Sequence, residues 1–142
     1  MPTQTSAEEN KANIRRVIEG LYSRGDLSVA EELYAANYIR HDPATPNVGT
    51  GVNAVKQVAN TYRTAFPDLE LTVEDIVAEG DKVLCRWSAH GTHLGELQGA
   101  APTGKRFEIT GLTLMQFADG QIVEEWANWD VLGMLQQLGV SA

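Results

Sequence analysis

The stretch from Arg106 to Trp129 reads RFEITGLTLMQFADGQIVEEWANW and decides the fold class. Phe107, Ile109, Gly111, Thr113, Met115 and Phe117 recur every second residue, so they share the apolar face of one long strand. Asp119-Gly120 is a strong hairpin-turn pair, and Gln121 to Trp129 returns as the next strand. Working back toward the N-terminus, the period of two persists. Lys82 to about His93 predicts another long strand, entered through a Gly80-Asp81 turn. Leu69, Leu71 and Val73 alternate with Glu70, Thr72 and Glu74, the mark of a half-buried strand. A glycine-rich connection, Gly95 to Gly104, contains a Pro102-Thr103-Gly104 turn.

The first half of the chain changes period. Ser6 to Glu9 fits a capping box, followed by Ile14, Val17, Ile18 and Leu21 at helical spacing and Gly25 as a stop. A second box, Ser28 to Glu31, opens a short helix through Leu33 and Tyr34. Tyr38 to Gly51 reads as irregular, and a third helix buries Val55, Val58, Tyr62 and Phe66 before Pro67 ends it. A last amphipathic segment, Val131 to Leu138, closes on Gly139 as a C-cap. Helices first and consecutive antiparallel strands after predict α+β segregation. The expected architecture is a cone-shaped α+β barrel, with three N-terminal helices packed on a curved, mostly antiparallel sheet around a pocket. Gly91, Gly95 and Gly111 supply the places where long strands bend.

At 142 residues the chain is the size of one domain, read as residues 1–142 with 1–5 disordered. A formal net charge of −8 and scattered basic residues argue against a surface that tracks phosphates, so nucleic acid is not an expected partner. Cys85 is the single cysteine, which excludes an internal disulfide or a cysteine-cluster metal site, and it reads as a small buried hydrophobe. The N-terminus has no apolar signal segment and no window is long enough to span a bilayer, which predicts a soluble, cytoplasmic protein without membrane partners. There is no P-loop, GxGxxG, GxSxG or HExxH pattern. Neither metal nor organic cofactor is expected, and chemistry must come from side-chain acids and bases in a pocket.

The last strand is the richest source of such groups. Strict alternation puts Ile122, Glu124, Trp126, Asn128 and Asp130 on one face, and Val123, Glu125, Ala127 and Trp129 on the other. Trp126, Asn128 and Asp130 therefore read as a pocket corner, where a carboxylate beside an aromatic would shuttle a proton. Asp130 also stands where the C-terminal helix begins and reads equally as its N-cap. Thr113 is the polar exception on its apolar face. His41 follows the second helix toward the mouth of the cup, and His93 lies at the rim, as a solvated loop side chain or a ligand contact. Trp87 reads as core or as pocket wall, and Tyr62 with Phe66 as core that also lines the pocket.

Several ordered fragments resemble the SnoaL-like polyketide cyclase family of the nuclear-transport-factor-2-like fold. They are Ile39-Arg40-His41-Asp42-Pro43, Phe66-Pro67-Asp68, Gly91-Thr92-His93-Leu94-Gly95, Pro102-Thr103-Gly104-Lys105, residues 117–126 from Phe117 to Trp126, and Gln136-Gln137-Leu138-Gly139. The resemblance implies a cofactor-free domain that forms a homodimer or homotetramer through its sheet. It also implies an intramolecular aldol closure on a polyketide methyl ester. In that family an aspartate near the end of the last strand is the acid/base, helped by a histidine on the preceding strand. Asp130 is the only aspartate on the last strand here, with Asn128 beside it, and Thr113 stands where the histidine is sought.

The expectation is a cyclase or isomerase acting on a small, mostly apolar carbonyl compound. Asp130 would be catalytic, with His41, Thr113, Trp126, Asn128, Trp87, His93 and Tyr62 binding substrate. Two alternatives stay open. One is an epoxide hydrolase-like enzyme, which needs an arginine between two carboxylates in the pocket and for which Arg86 and Arg106 are the strand candidates. The other is a non-catalytic binding or assembly module.

Overall fold

A computed structural model describes residues 6–140; the expectation of disorder at residues 1–5 lies outside the described residues. Helix α1 (Ala7–Arg16) runs on without a break into π-helical turns over Val17–Ser23. Helix α2 (Ser28–Leu33), strand β1 (Tyr34–His41) and helix α3 (Gly51–Ala65) follow. Strands β2 (Glu70–Glu79), β3 (Lys82–Thr92), β4 (Arg106–Ala118) and β5 (Gln121–Trp129) come next, then helix α4 (Val131–Leu138). The sheet has five strands in the order β1-β5-β4-β3-β2, antiparallel except where β1 lies parallel to β5.

Local chemistry explains most boundaries. Ser6 Oγ accepts from the Glu9 amide at 3.1 Å and caps α1. Asp119 and Gly120 both take positive φ, as a two-residue hairpin with the twist of its strands requires. At α2 the expected Ser28 cap is corrected. Ser28 is already inside the helix, and Asp26 Oδ1 accepts from its amide at 3.1 Å and its hydroxyl at 2.5 Å.

Two further expectations are corrected. The described residues contain four α-helices rather than three N-terminal ones, since α4 packs back against β4. Tyr38 to Gly51 is not irregular from its start, because β1 occupies Tyr34–His41. The physical reason is an interrupted pattern. Ala36 and Asn37 are both exposed in mid-strand, and the register against β5 shifts between Tyr34 and Ile39. No clean alternation survives to be read.

The core fills the concave side of the sheet. Val83, Cys85, Trp87 and Ala89 of β3 and Phe107, Ile109, Thr113 and Met115 of β4 face inward. The first helix with its π-helical extension, and α3, cover them through Ile14, Val17, Leu21, Val55 and Val58. Arg63 of α3 donates from Nη1 to the carbonyls of Tyr22 and Ser23, at 2.9 and 2.7 Å, and fixes the end of the π-helical turns. That contact sets Tyr22 against the cavity described next.

Candidate functional site

A β-bulge decides which side chains of β5 face inward. Phe117 pairs with Ile122 and Gln116 with Glu124, so Val123 is the extra residue. Ile122 is buried before the bulge, and Glu125 and Ala127 are buried after it. Glu124, Trp126 and Asn128 are thereby turned to the outer side.

Arg40 is the register partner of Glu125 across the parallel β1–β5 pair. Its Nη1 stands 3.1 Å from Glu125 Oε1, and its Nη2 lies 2.9 Å from Asp42 Oδ2. The Tyr38 hydroxyl donates to the same Glu125 Oε1 at 2.5 Å. Glu125 is 2% exposed and Asp42 6%. Two carboxyl groups thus share one guanidinium in the interior. Burial alone would weaken the charge of Arg40, but Glu125 and then the surrounding tyrosines and Asp42 outweigh it and hold the guanidinium protonated. Asp42 is fixed in turn, since Oδ1 accepts from the Ala44 amide at 2.9 Å and Oδ2 from Trp129 Nε1 at 3.4 Å.

Arg40 and Glu125 form the charged end of a cavity of about 70 Å³. Tyr22, Tyr62, Phe66, Trp87, Phe107 and Trp129 supply its aromatic walls. Ile18, Val58, Leu69, Leu71, Ala89, Ile109, Met115 and Met134 supply the aliphatic surface. The volume suits several waters, or the end of a narrow organic molecule. Thr113 lines it as well, and its Oγ1 accepts from Trp87 Nε1 at 3.0 Å, so its own proton stays available to a ligand. Gly111 lies between two walls: a Cβ there would stand 2.5 Å from the Trp87 ring and 2.6 Å from Trp129 Cβ. Burial pushes the Tyr22 hydroxyl up to about 12, with Arg40 opposing the rise, and raises Tyr62 and Tyr38 as well. All three keep their protons at neutral pH.

Of the residues expected around the pocket, Thr113, Trp87 and Tyr62 line the cavity. Trp126 does not; it stacks outside the cavity on His41 with ring centroids 5.2 Å apart. His41 is outside too, exposed and bonded through Nε2 to Glu124 at 2.6 Å. Asn128 is exposed on the outer face. His93 is fully buried rather than solvated, yet it sits under the turn, where its Nδ1 accepts from the Thr103 amide at 3.2 Å. Asp130 is the α4 N-cap, with Oδ1 accepting from the Gly133 amide at 2.9 Å, and it is not among the cavity residues. The expected hydrolase arginines are elsewhere: Arg86 pairs with Asp75 at the surface and Arg106 is exposed. Strict alternation missed Glu125, and the irregular reading of β1 missed Arg40. The adjacent Glu124-Glu125 pair was the available signal, because a two-faced strand must turn one of two neighbouring carboxylates inward.

Among the described residues, no group of three His, Cys, Asp or Glu is arranged to hold a metal ion, and no helix is long and apolar enough to cross a membrane.

Residues 12–138 match the family model of the SnoaL-like polyketide cyclases. The nogalonic acid methyl ester cyclase of Streptomyces nogalater is 29% identical over 83% of this chain and 89% of its own. The aklanonic acid methyl ester cyclase AcmA of Streptomyces galilaeus is 30% identical over 92% and 91%. The solved structure of IdmH from Streptomyces antibioticus is 37% identical, with a TM-score of 0.77 over 92% of this chain and 99% of that one. TsrD from Streptomyces laurentii shares the fold at a TM-score of 0.87 and 24% identity, over 97% and 100% of the two chains.

Proposed function

The chain belongs to the SnoaL-like polyketide cyclase family, and from that premise we propose a cofactor-independent cyclase or isomerase that moves a proton on a small, mostly apolar carbonyl compound through Glu125. One observation carries this assignment. Among the described residues that line the cavity, Glu125 is the only carboxylate. It takes the place on the last strand that Asp130, held in its cap, does not fill.

Glu125 removes the proton α to a carbonyl, and the C–H electron pair becomes the enolate double bond. The enolate carbon attacks a second carbonyl of the same molecule and a C–C bond forms. Glu125 then returns its proton to the new alkoxide, so nothing is oxidised or reduced. The Thr113 hydroxyl donates to the carbonyl under attack, and the aromatic walls hold the reacting end of a flat apolar skeleton away from water. The methyl esters named for the relatives are the first substrates to try.

Incubation with aklanonic acid methyl ester or nogalonic acid methyl ester, followed by chromatography, tests ring closure. Incubation of aryl ketones in heavy water, followed by NMR, tests α-proton exchange without requiring the true substrate. Both activities should disappear in Glu125→Gln. Full activity in that variant sinks the assignment.

A second reading has its own observation. Arg40 lies between Asp42 and Glu125, at 2.9 and 3.1 Å, the arginine-between-carboxylates set an epoxide hydrolase requires. Hydration of an epoxide in heavy-oxygen water, with label in the diol and loss of the reaction in Glu125→Gln, would select it. Unchanged epoxide removes it.

We also propose that copies of the chain pair through the outer sheet face, where Leu84 of β3 and Leu112 of β4 stand exposed. Light scattering on Leu112→Arg should then report a smaller particle than the wild type.

A further inference from the structure

Arg40 keeps two donor nitrogens without an aligned hydrogen-bond acceptor, although the Tyr22 hydroxyl and Glu125 lie beside the guanidinium. Its side chain is 6% exposed and lines the cavity, yet Nε and Nη1 have no hydrogen-bond acceptor. Nη2 is committed to Asp42, and Nη1 meets Glu125 as an ion pair without hydrogen-bond alignment. Buried donors are ordinarily paired, and leaving one open costs about 1–3 kcal/mol, more when it is charged. Open donors on a guanidinium beside the proposed base call for an acceptor brought by a ligand.

We propose that Arg40 is itself a catalytic residue: it holds the enolate oxygen that forms as Glu125 takes the α-proton. This role rests on the acid/base function assigned to Glu125. The carboxyl groups around Arg40 also specify the ligand. Asp42 and Glu125 already set two buried carboxyl groups against one guanidinium. A carboxylate ligand would bring a third carboxyl group to that one guanidinium in a water-poor interior, whereas a neutral ketone or ester brings none. When Glu125 accepts the proton, its negative charge passes to the enolate oxygen. Both positions adjoin the same guanidinium, so the total charge is unchanged and the counter-charge is already in place. The pocket therefore takes a neutral carbonyl and rejects the matching acid.

The probe is 2-acetylnaphthalene labelled with carbon-13 at the carbonyl, bound to the full-length protein, with 2-naphthoate as the matched acid. Expected are a downfield-displaced carbonyl resonance in the wild type and binding of the acid at least about tenfold weaker than of the ketone. Methyl-proton exchange in heavy water should fall about 10²- to 10³-fold in Arg40→Met. Ketone affinity should change only a few fold in the same variant. Arg40→Lys, which keeps the charge but loses the planar fork, should lose most of the displacement and stays informative if Arg40→Met does not fold. An undisplaced wild-type resonance, acid binding as tight as ketone, or wild-type exchange in either variant overturns the proposal. Exchange that depends on Glu125 without a displaced carbonyl would remove Arg40's role and leave Glu125's standing. No exchange in the wild type would remove both.

Discussion

Arg40 and Glu125 are register partners on the parallel pair β1 and β5, and their side chains meet at 3.1 Å inside the domain. Neither strand shows from its own sequence that this residue faces inward. The encounter depends on the bulge at Val123 and on the parallel seating of β1, and it places the interior charge of the molecule at one end of an otherwise apolar cavity.

Removing one member of this set should cost far more than weakening it. Glu125→Gln keeps an acceptor for the Tyr38 hydroxyl and should fold while losing turnover. Glu125→Leu leaves the Tyr38 donor without an acceptor and Arg40 with Asp42 alone, and should destabilise the domain by about 3–5 kcal/mol. Urea unfolding of the two variants measures the difference. Equal midpoints would show that the pair contributes little.

Asp130 separates stability from chemistry. Asp130→Ala removes the bond to the Gly133 amide and should cost about 1 kcal/mol, visible as a lowered melting temperature. Asp130→Asn caps nearly as well and should keep both melting temperature and α-proton exchange. Loss of exchange in Asp130→Asn would return the acid/base role to that residue.

Gly111 should not tolerate a methyl group. Gly111→Ala brings a Cβ against the Trp87 ring and Trp129 Cβ, and overpacking of this kind costs about 1–3 kcal/mol. Since both tryptophans are cavity walls, weaker quenching of their fluorescence by a bound aryl ketone should accompany the loss of stability.

All four tyrosines should resist ionisation in the folded protein. Burial raises Tyr22 to about 12 and holds Tyr34, Tyr38 and Tyr62 above their ordinary value too. In the unfolded chain they ionise near pH about 10. Their contribution to stability is therefore complete below that value and is lost as pH rises from there through the folded values. Tyrosinate absorbance should stay flat past pH about 10 and then rise together with the loss of near-ultraviolet circular dichroism. A smooth titration near pH 10 in a folded sample would contradict the burial of these hydroxyls.

Periodicity and turn chemistry made most of the fold legible. The alternation in Phe107 to Phe117, the Asp119-Gly120 turn and the Gly139 cap correspond to β4, its hairpin and the end of α4. Thr113, Trp87 and Tyr62 were visible as cavity residues because their strands and helix are regular, and regular spacing converts position into direction. His41, Trp126 and Asn128 fall outside the cavity because that conversion fails at a strand without alternation and after an inserted residue.

The sequence by itself determined that helices cover one face of a bent, mostly antiparallel sheet, and that one of the neighbours Glu124 and Glu125 had to face its interior. Tertiary structure alone decided which one. A bulge inverts every side chain beyond it, and its place is set by pairing with β4, not by β5's own residues. Arg40 follows from the same cause, because only the parallel contact of β1 with β5 brings its charge beside Glu125.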